Sequence, residues 1–120
     1  MKSPLGEGPE FDRIRAIAAA LTSEDRLGDD CAVIGSGEWL ASTDVSVEGV
    51  HFRRAWLSLE EIGWRAAASA LSDLAAMGAE PSAVLVALAG PRSAPAAESV
   101  AIMRGIGAAT AAVGAEVVGG

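Results

Sequence analysis

The 120-residue chain has a single cysteine, which excludes an intrachain disulfide framework. It lacks a cationic start leading into an apolar stretch, the mark of a secretory signal, so the cytoplasm is the default compartment. Long apolar runs are missing as well. Gly, Glu or Arg interrupts every candidate well short of the roughly 20 residues a bilayer span requires, so a soluble protein with no membrane partner is expected. Basic stripes are absent. The net charge is −7 and the arginines are scattered singly apart from Arg53-Arg54, so nucleic acid is not an expected partner. No internal repeat, low-complexity block or interdomain linker divides the chain.

What the chain does have is an apolar fraction of 51%, enough to build one core at this length. Met1 to Pro9 is a flexible opening. Phe11, Ile14, Ile17, Ala18 and Leu21 then fall at helical spacing with Asp12, Arg13 and Arg15 opposite, which predicts a short amphipathic helix. The stretch Thr22 to Leu27 is polar. Cys31 to Ile34, Gly35 to Glu38 and Trp39 to Ser42 read as strand, turn and strand, a β-hairpin. Pairing symmetric about Gly37 would set Asp30 opposite Asp44. Directly opposed residues lie about 4.5–5.5 Å apart, and two carboxylates at that distance repel unless a cation lies between them. Ser42 and Thr43 add hydroxyl oxygens of the kind that hard divalent cations prefer.

Asp44 to Trp56 is expected to be largely irregular, the kind of segment that lies along a ligand or is mobile. Ser58-Leu-Glu-Glu61 fits a capping box opening a helix to Met77, with Gly78 as its left-handed stop and Trp64, Ala67, Leu71 and Leu74 facing a sheet. Asp73 lies beside that stripe, where Ser69, Ala70, Ala76 and Met77 offer it no neutralising charge. The apolar run Ser82 to Ala89 predicts a strand covered on both faces. A third helix is expected from about Pro95 to Val113, with Val100, Met103, Ile106 and Ala109 or Thr110 on one side and Gly114 as its stop; Gly105 and Gly107 either weaken it or allow a close backbone approach. Ala115 to Val118 reads as a final strand. The order predicts an α/β fold with a single mixed β-sheet of about four strands and helices packed on it, a second copy covering any face left open.

Gly28-Asp-Asp-Cys-Ala32, Ser42-Thr-Asp44, Glu48-Gly-Val-His-Phe52 and Leu71-Ser-Asp-Leu-Ala-Ala-Met-Gly-Ala-Glu-Pro81 together resemble the thiamine-monophosphate kinases of the aminoimidazole-ribonucleotide synthetase superfamily. The resemblance implies ATP-dependent phosphorylation of thiamine phosphate to thiamine diphosphate with the help of several Mg²⁺ ions. It further implies a homodimer in which residues 1–120 form the amino-terminal ATP- and Mg-binding domain, the carboxy-terminal domain lying outside this chain. By the same resemblance Asp30, Ser42, Thr43, Asp44 and Asp73 hold magnesium, His51 contacts the substrate, and Gly120 with Gly119 approaches ATP. Met103 stands where the family often has a tyrosine against the nucleotide. No GxxxxGK[ST] occurs, so this is not a P-loop enzyme. Taken without the resemblance, Asp29-Asp30 reads as a solvated turn, Asp73 as an exposed helix charge, His51 as an ordinary loop histidine, and Arg53-Arg54 as surface charge. Two alternatives stay open: another enzyme of the superfamily acting on a different acceptor, and a non-catalytic Mg-binding dimerisation module.

Overall fold

The computed structural model describes residues 6–21 and 26–120; the first part of the expected flexible opening and most of the polar stretch Thr22 to Leu27 lie outside them. The described chain falls into two compact units, divided between Ser42 and Thr43.

In the first unit, helix α1 spans Pro9–Ala19. Proline at the first helical position has no N–H to leave unsatisfied, and Arg15 closes the first turns by bonding the Gly6 carbonyl at 2.9 Å and the Asp12 carboxylate at 2.5 Å. Of the expected apolar stripe Ala18 is buried, Phe11 and Ile14 are half-buried, and Ile17 and Leu21 are exposed. Strands β1 (Ala32–Ile34) and β2 (Trp39–Ala41) form the expected antiparallel hairpin. Its turn is held by Glu38, whose carboxylate accepts from the Ser36 hydroxyl at 2.7 Å and from the Ser36 main chain at 3.0 Å. These bonds, the hydroxyl foremost, hold the Glu38 carboxyl below its ordinary pKa.

The register corrects one expectation. Ala32 pairs with Ala41, Val33 with Leu40 and Ile34 with Trp39, so the hairpin is centred between Ser36 and Gly37 and not on Gly37. A one-residue difference in loop length moves every cross-strand pair by one. The ladder also ends at Ala32 and Ala41, so the expected opposition of Asp30 and Asp44 is no part of it, and the cross-strand argument for a cation loses its footing.

In the second unit, helix α2 (Leu59–Ala76) begins on the full capping box. Ser58 Oγ accepts from the Glu61 N–H at 3.2 Å, and the Glu61 carboxylate accepts from the Ser58 N–H at 2.7 Å. Ser58→Ala is expected to cost about 1 kcal/mol in urea unfolding. The same bonds, the Ser58 main-chain N–H first, hold the Glu61 carboxyl below its ordinary value of 4.5. A depressed carboxylate stabilises fully above its unfolded pKa, and that contribution is lost as pH falls through the folded one. Glu61→Gln, which keeps an acceptor without the charge, should flatten this acid-side loss.

Helix α3 spans Ala96–Ala112. Both helices end alike. After α2 the Ala79 N–H reaches the Leu74 carbonyl at 3.0 Å, and after α3 the Ala115 N–H reaches the Thr110 carbonyl at 3.0 Å, around left-handed Gly78 (φ 70°) and Gly114 (φ 74°). These are Schellman closures, which need a residue without a Cβ at the turning point.

The core of this unit is helix against helix. Ile62, Gly63, Ala67 and Leu71 of α2 and Gly105, Ile106, Ala109 and Thr110 of α3 are buried, with Val86, Ile102, Met103 and Val117 packed around the Ala67–Ile106–Ala109 centre. Two glycines set the helix spacing. A Cβ on Gly63 would stand 1.9 Å from the Ile102 carbonyl oxygen, and one on Gly105 would stand 1.8 Å from that of Glu60. The main chains therefore touch where they cross. Of the expected α2 stripe Ala67 and Leu71 are buried and Leu74 is half-buried, but the buried face meets α3 where a sheet was expected, and Trp64, expected inside, is 49% exposed. Val100 of α3 likewise points out. Thr110, a buried polar side chain, satisfies its hydroxyl on the Gly107 carbonyl at 3.0 Å.

Strands β3 (Ala83–Leu85) and β4 (Glu116–Gly119) pair in parallel across α3, with an irregularity between Val84 and Leu85. The sheet expectation is corrected here. Among the described residues there are two separate two-stranded ladders, β1–β2 and β3–β4, in place of one four-stranded sheet. The run Ser82 to Ala89 is not covered on both faces either: Val84 and Val86 are half-buried while Leu85 is 75% exposed. Patterning reveals how many strands a chain can form, whereas which strands become neighbours depends on contacts between distant segments.

Candidate active site

Between β2 and α2 the chain runs without regular structure beyond one isolated bridge, Glu48 to Phe52, as expected, but it is tied into turns. The His51 N–H donates to the Val47 carbonyl at 2.8 Å, and the Gly49 N–H donates to the Phe52 carbonyl at 2.8 Å. The Val47 N–H donates to His51 Nδ1 at 3.0 Å, so main chain and imidazole close on the same residue from two directions. Arg65, on the first half of α2, donates from Nη1 to the His51 carbonyl. This bond joins the turn to the helix.

The turn and α2 enclose a small cleft of about 80 Å³, lined by Asp44, Val45, Ser46, His51, Arg65, Ala66 and Ser69. Two of the residues singled out by sequence, Asp44 and His51, thus come to one place. The Asp44 carboxylate is exposed and accepts one bond through Oδ1, from the Val45 N–H at 2.8 Å. Opposite charge enters with the Arg65 guanidinium. Ser46 and Ser69 also line the cleft, with Val45 and Ala66 giving it a mixed polar and apolar surface.

Thr43 precedes Asp44 and is exposed, outside the cleft lining. Asp73 is half-buried on α2. It stands four residues beyond Ser69 and eight beyond Arg65, a spacing that puts the three on one side of the helix. Asp30 and Ser42 belong to the first unit, where Asp30 is exposed and Ser42 half-buried. The Asp30 N–H donates to the Asp29 carboxylate at 2.9 Å, so Asp29 caps the turn. Gly120 has a structural reason to be glycine, because a Cβ there would stand 1.7 Å from the Val86 carbonyl oxygen.

Arg53 stacks on Trp56, its guanidinium 5.1 Å from the ring centroid. Arg54 pairs with Glu98 at 2.7 Å, a hydrogen bond that raises its pKa further. Both arginines are exposed and engaged with protein groups, in keeping with surface charge.

Sequence reasoning missed Arg65, Ser46 and Ser69. The polar pair Arg65 and Ser69, four residues apart beside an apolar stripe and four before Asp73, was the available signal. Its meaning depended on a loop fourteen residues upstream of Arg65 folding over it.

Magnesium can be tested against these donors. Among the described residues no three His, Cys, Asp or Glu side chains gather closely enough to hold a metal alone. Mg²⁺ does not ask for such a cage; it is held by one or two carboxylates, with substrate phosphates and water filling the octahedron. The open carboxylate of Asp44 fits that role, completed by a phosphate-bearing ligand.

The profile of the family described as AIR synthase related protein, N-terminal domain, matches residues 28–120. A thiamine-monophosphate kinase of Synechococcus elongatus is 44% identical over 92 residues, covering 74% of this chain and 27% of that protein. One from Mycobacterium tuberculosis is 37% identical over 119 residues, covering 97% of this chain and 36% of that protein, and one from Corynebacterium glutamicum is 34% identical over 120 residues. The chain thus spans about a third of the length of these curated relatives. No solved structure matches it. With the profile spanning most of the chain, from the Gly28-Asp-Asp turn to Gly120, this protein belongs to the AIR synthase related family and carries that family's N-terminal domain.

Proposed function

We propose that this chain is the ATP- and Mg-binding part of a thiamine-monophosphate kinase, which transfers the γ-phosphoryl group of ATP to thiamine phosphate. The observation that carries the reading is the meeting of Asp44 and His51 in one small cleft, on a chain whose curated relatives from Synechococcus elongatus and Mycobacterium tuberculosis are kinases of that name. In the transfer an oxygen of the acceptor phosphate forms a bond to the γ-phosphorus, the bond from that phosphorus to the β,γ-bridging oxygen breaks, and ADP leaves.

Two polyanions must approach for this to happen, so the work of the protein is positioning and charge neutralisation, with no nucleophilic side chain needed. Mg²⁺, when bound, neutralises the phosphates and holds them in line. Asp44 is proposed to hold one such ion through its own carboxylate, and Thr43, Asp73, Asp30 and Ser42 are proposed as magnesium contacts individually, not as one cluster. His51 is proposed to contact the acceptor phosphate, and Gly120 to lie against the nucleotide. A homodimer in the cytoplasm is part of the same reading; the exposed Leu85 and Val118 of the β3–β4 pair support a partner over that sheet.

The test is formation of thiamine diphosphate by a full-length protein carrying this chain, supplied with ATP, Mg²⁺ and thiamine phosphate. Turnover of a different acceptor in its place, such as aminoimidazole-ribonucleotide precursors or selenide, would move the assignment elsewhere in the superfamily. No turnover of any acceptor, with nucleotide still bound, would mean a non-catalytic module. His51→Ala is expected to raise KM for thiamine phosphate about tenfold, the loss of one bond to a charged group, and to leave KM for ATP nearly unmoved. Equal effects on both would remove His51 from the acceptor site.

A further inference from the structure

We propose that Arg65 is a positioning residue: it fastens the turn of residues 47–52 to helix α2 and so holds His51 in the tautomer that carries its proton on Nε2. The proposal rests on the reading of the cleft as the acceptor-phosphate site. Three hydrogen bonds meet at His51. Its N–H donates to the Val47 carbonyl, its Nδ1 accepts from the Val47 N–H at 3.0 Å, and its carbonyl accepts from Arg65 Nη1.

A main-chain N–H can only donate, so Nδ1 must offer its lone pair. The neutral ring then has its one proton on Nε2. That proton matters in a cleft meant for a phosphate: an N–H on the ring attracts an anionic oxygen, whereas a lone pair at the same atom repels it.

The contacts with Val47 span four residues and belong to the turn alone. The Arg65 contact spans fourteen and ties the turn to the helix. Without it the turn keeps its local bonds in part but loses its anchorage, and the Val47 N–H competes with solvent for Nδ1. Arg65 also lines the cleft itself, with Asp44 as the opposing charge. One side chain therefore both steadies the donor and sets the field around it.

His51 is the single histidine of the chain, so a long-range ¹H–¹⁵N spectrum of the labelled 120-residue chain in alkaline buffer reports it without ambiguity. The expected spectrum shows one tautomer, Nδ1 unprotonated and Nε2 protonated. Arg65→Ala should move both nitrogens toward the averaged shifts of an imidazole exchanging between tautomers, and Arg65→Lys, which retains a donor, should restore part of the difference. If Arg65→Ala loses its helical circular dichroism, Arg65→Met takes its place, since it keeps the stem and lacks the donor.

Averaged shifts in the unmodified chain, or an unchanged single tautomer in the Ala or Met variant, would overturn the proposal. In a full-length protein carrying the chain, Arg65→Ala should raise KM for thiamine phosphate about tenfold and KM for ATP less; equal shifts in both would count against positioning of the acceptor. Failure of the kinase reading itself would show separately, as no thiamine diphosphate formed by the unmodified protein, with the spectra unaffected.

Discussion

Gly105→Ala is expected to unfold or nearly unfold the α2–α3 pair, with a loss of about 3 kcal/mol or more in urea or thermal unfolding. The added Cβ would stand 1.8 Å from the Glu60 carbonyl oxygen and 2.8 Å from the Trp64 nitrogen. Overpacking ordinarily costs about 1–3 kcal/mol when side chains can give way. Here the obstacle is main chain on both sides, so the helices must separate and the Ala67–Ile106–Ala109 contacts go with them. Alanine's better helix propensity returns only about 1 kcal/mol.

Gly107→Ala supplies the control. Nothing lies within 4 Å of a Cβ at that position, so the propensity gain stands alone and the variant should be more stable by about 0.5–1 kcal/mol. Two glycines two residues apart in one helix are thus predicted to respond with opposite signs. Equal responses would mean that the helices do not cross at Gly105. Gly63→Ala, which meets the Ile102 carbonyl at 1.9 Å, should behave like Gly105→Ala.

Asp44→Asn is expected to weaken Mg²⁺-dependent nucleotide binding by about 100-fold while leaving the fold in place. Partners one step removed from a metal typically change its affinity 10- to 100-fold, so a direct carboxylate ligand belongs at or above the top of that range. Asparagine keeps the shape of the side chain, and its Oδ1 can still accept the 2.8 Å bond from the Val45 N–H. Only the charge is removed. The measurement is calorimetric titration of a non-hydrolysable ATP analogue into a full-length protein carrying the chain, first with Mg²⁺ and then with chelator. Unchanged affinity in the variant would show that Asp44 is not a ligand. Loss of affinity with chelator and without it alike would point to a role in the shape of the cleft.

Much of the local structure was legible in the residues, and so were two residues of the candidate cleft. Ser58 and Glu61 announce the start of α2 because each satisfies a main-chain group three residues away. Gly78 and Gly114 announce the ends of both long helices because a left-handed closure is a matter of a few consecutive residues. Asp44 and His51 stood out through the motifs that carry the resemblance to thiamine-monophosphate kinases, and the candidate cleft holds both. Arg65 did not stand out. An arginine on a helix is ordinarily solvated, and its bond to the His51 carbonyl exists only because a separate segment folds over it.

What the sequence by itself determined is therefore what neighbours along the chain can settle: the two long helices and their limits, the hairpin, the irregular passage between them, and membership of a family whose motifs are contiguous. Tertiary structure alone decided what the buried faces of those elements pack against. Gly63 and Gly105 could have been weak points in two helices; they became the contact that lets the main chains of α2 and α3 touch, with Trp64 left outside. It also decided that the strands would pair as two ladders. The reason is physical. Hydrogen bonds within a turn or helix close over a few residues, whereas packing and strand pairing are chosen by the fit between segments far apart in the chain, which no single segment encodes.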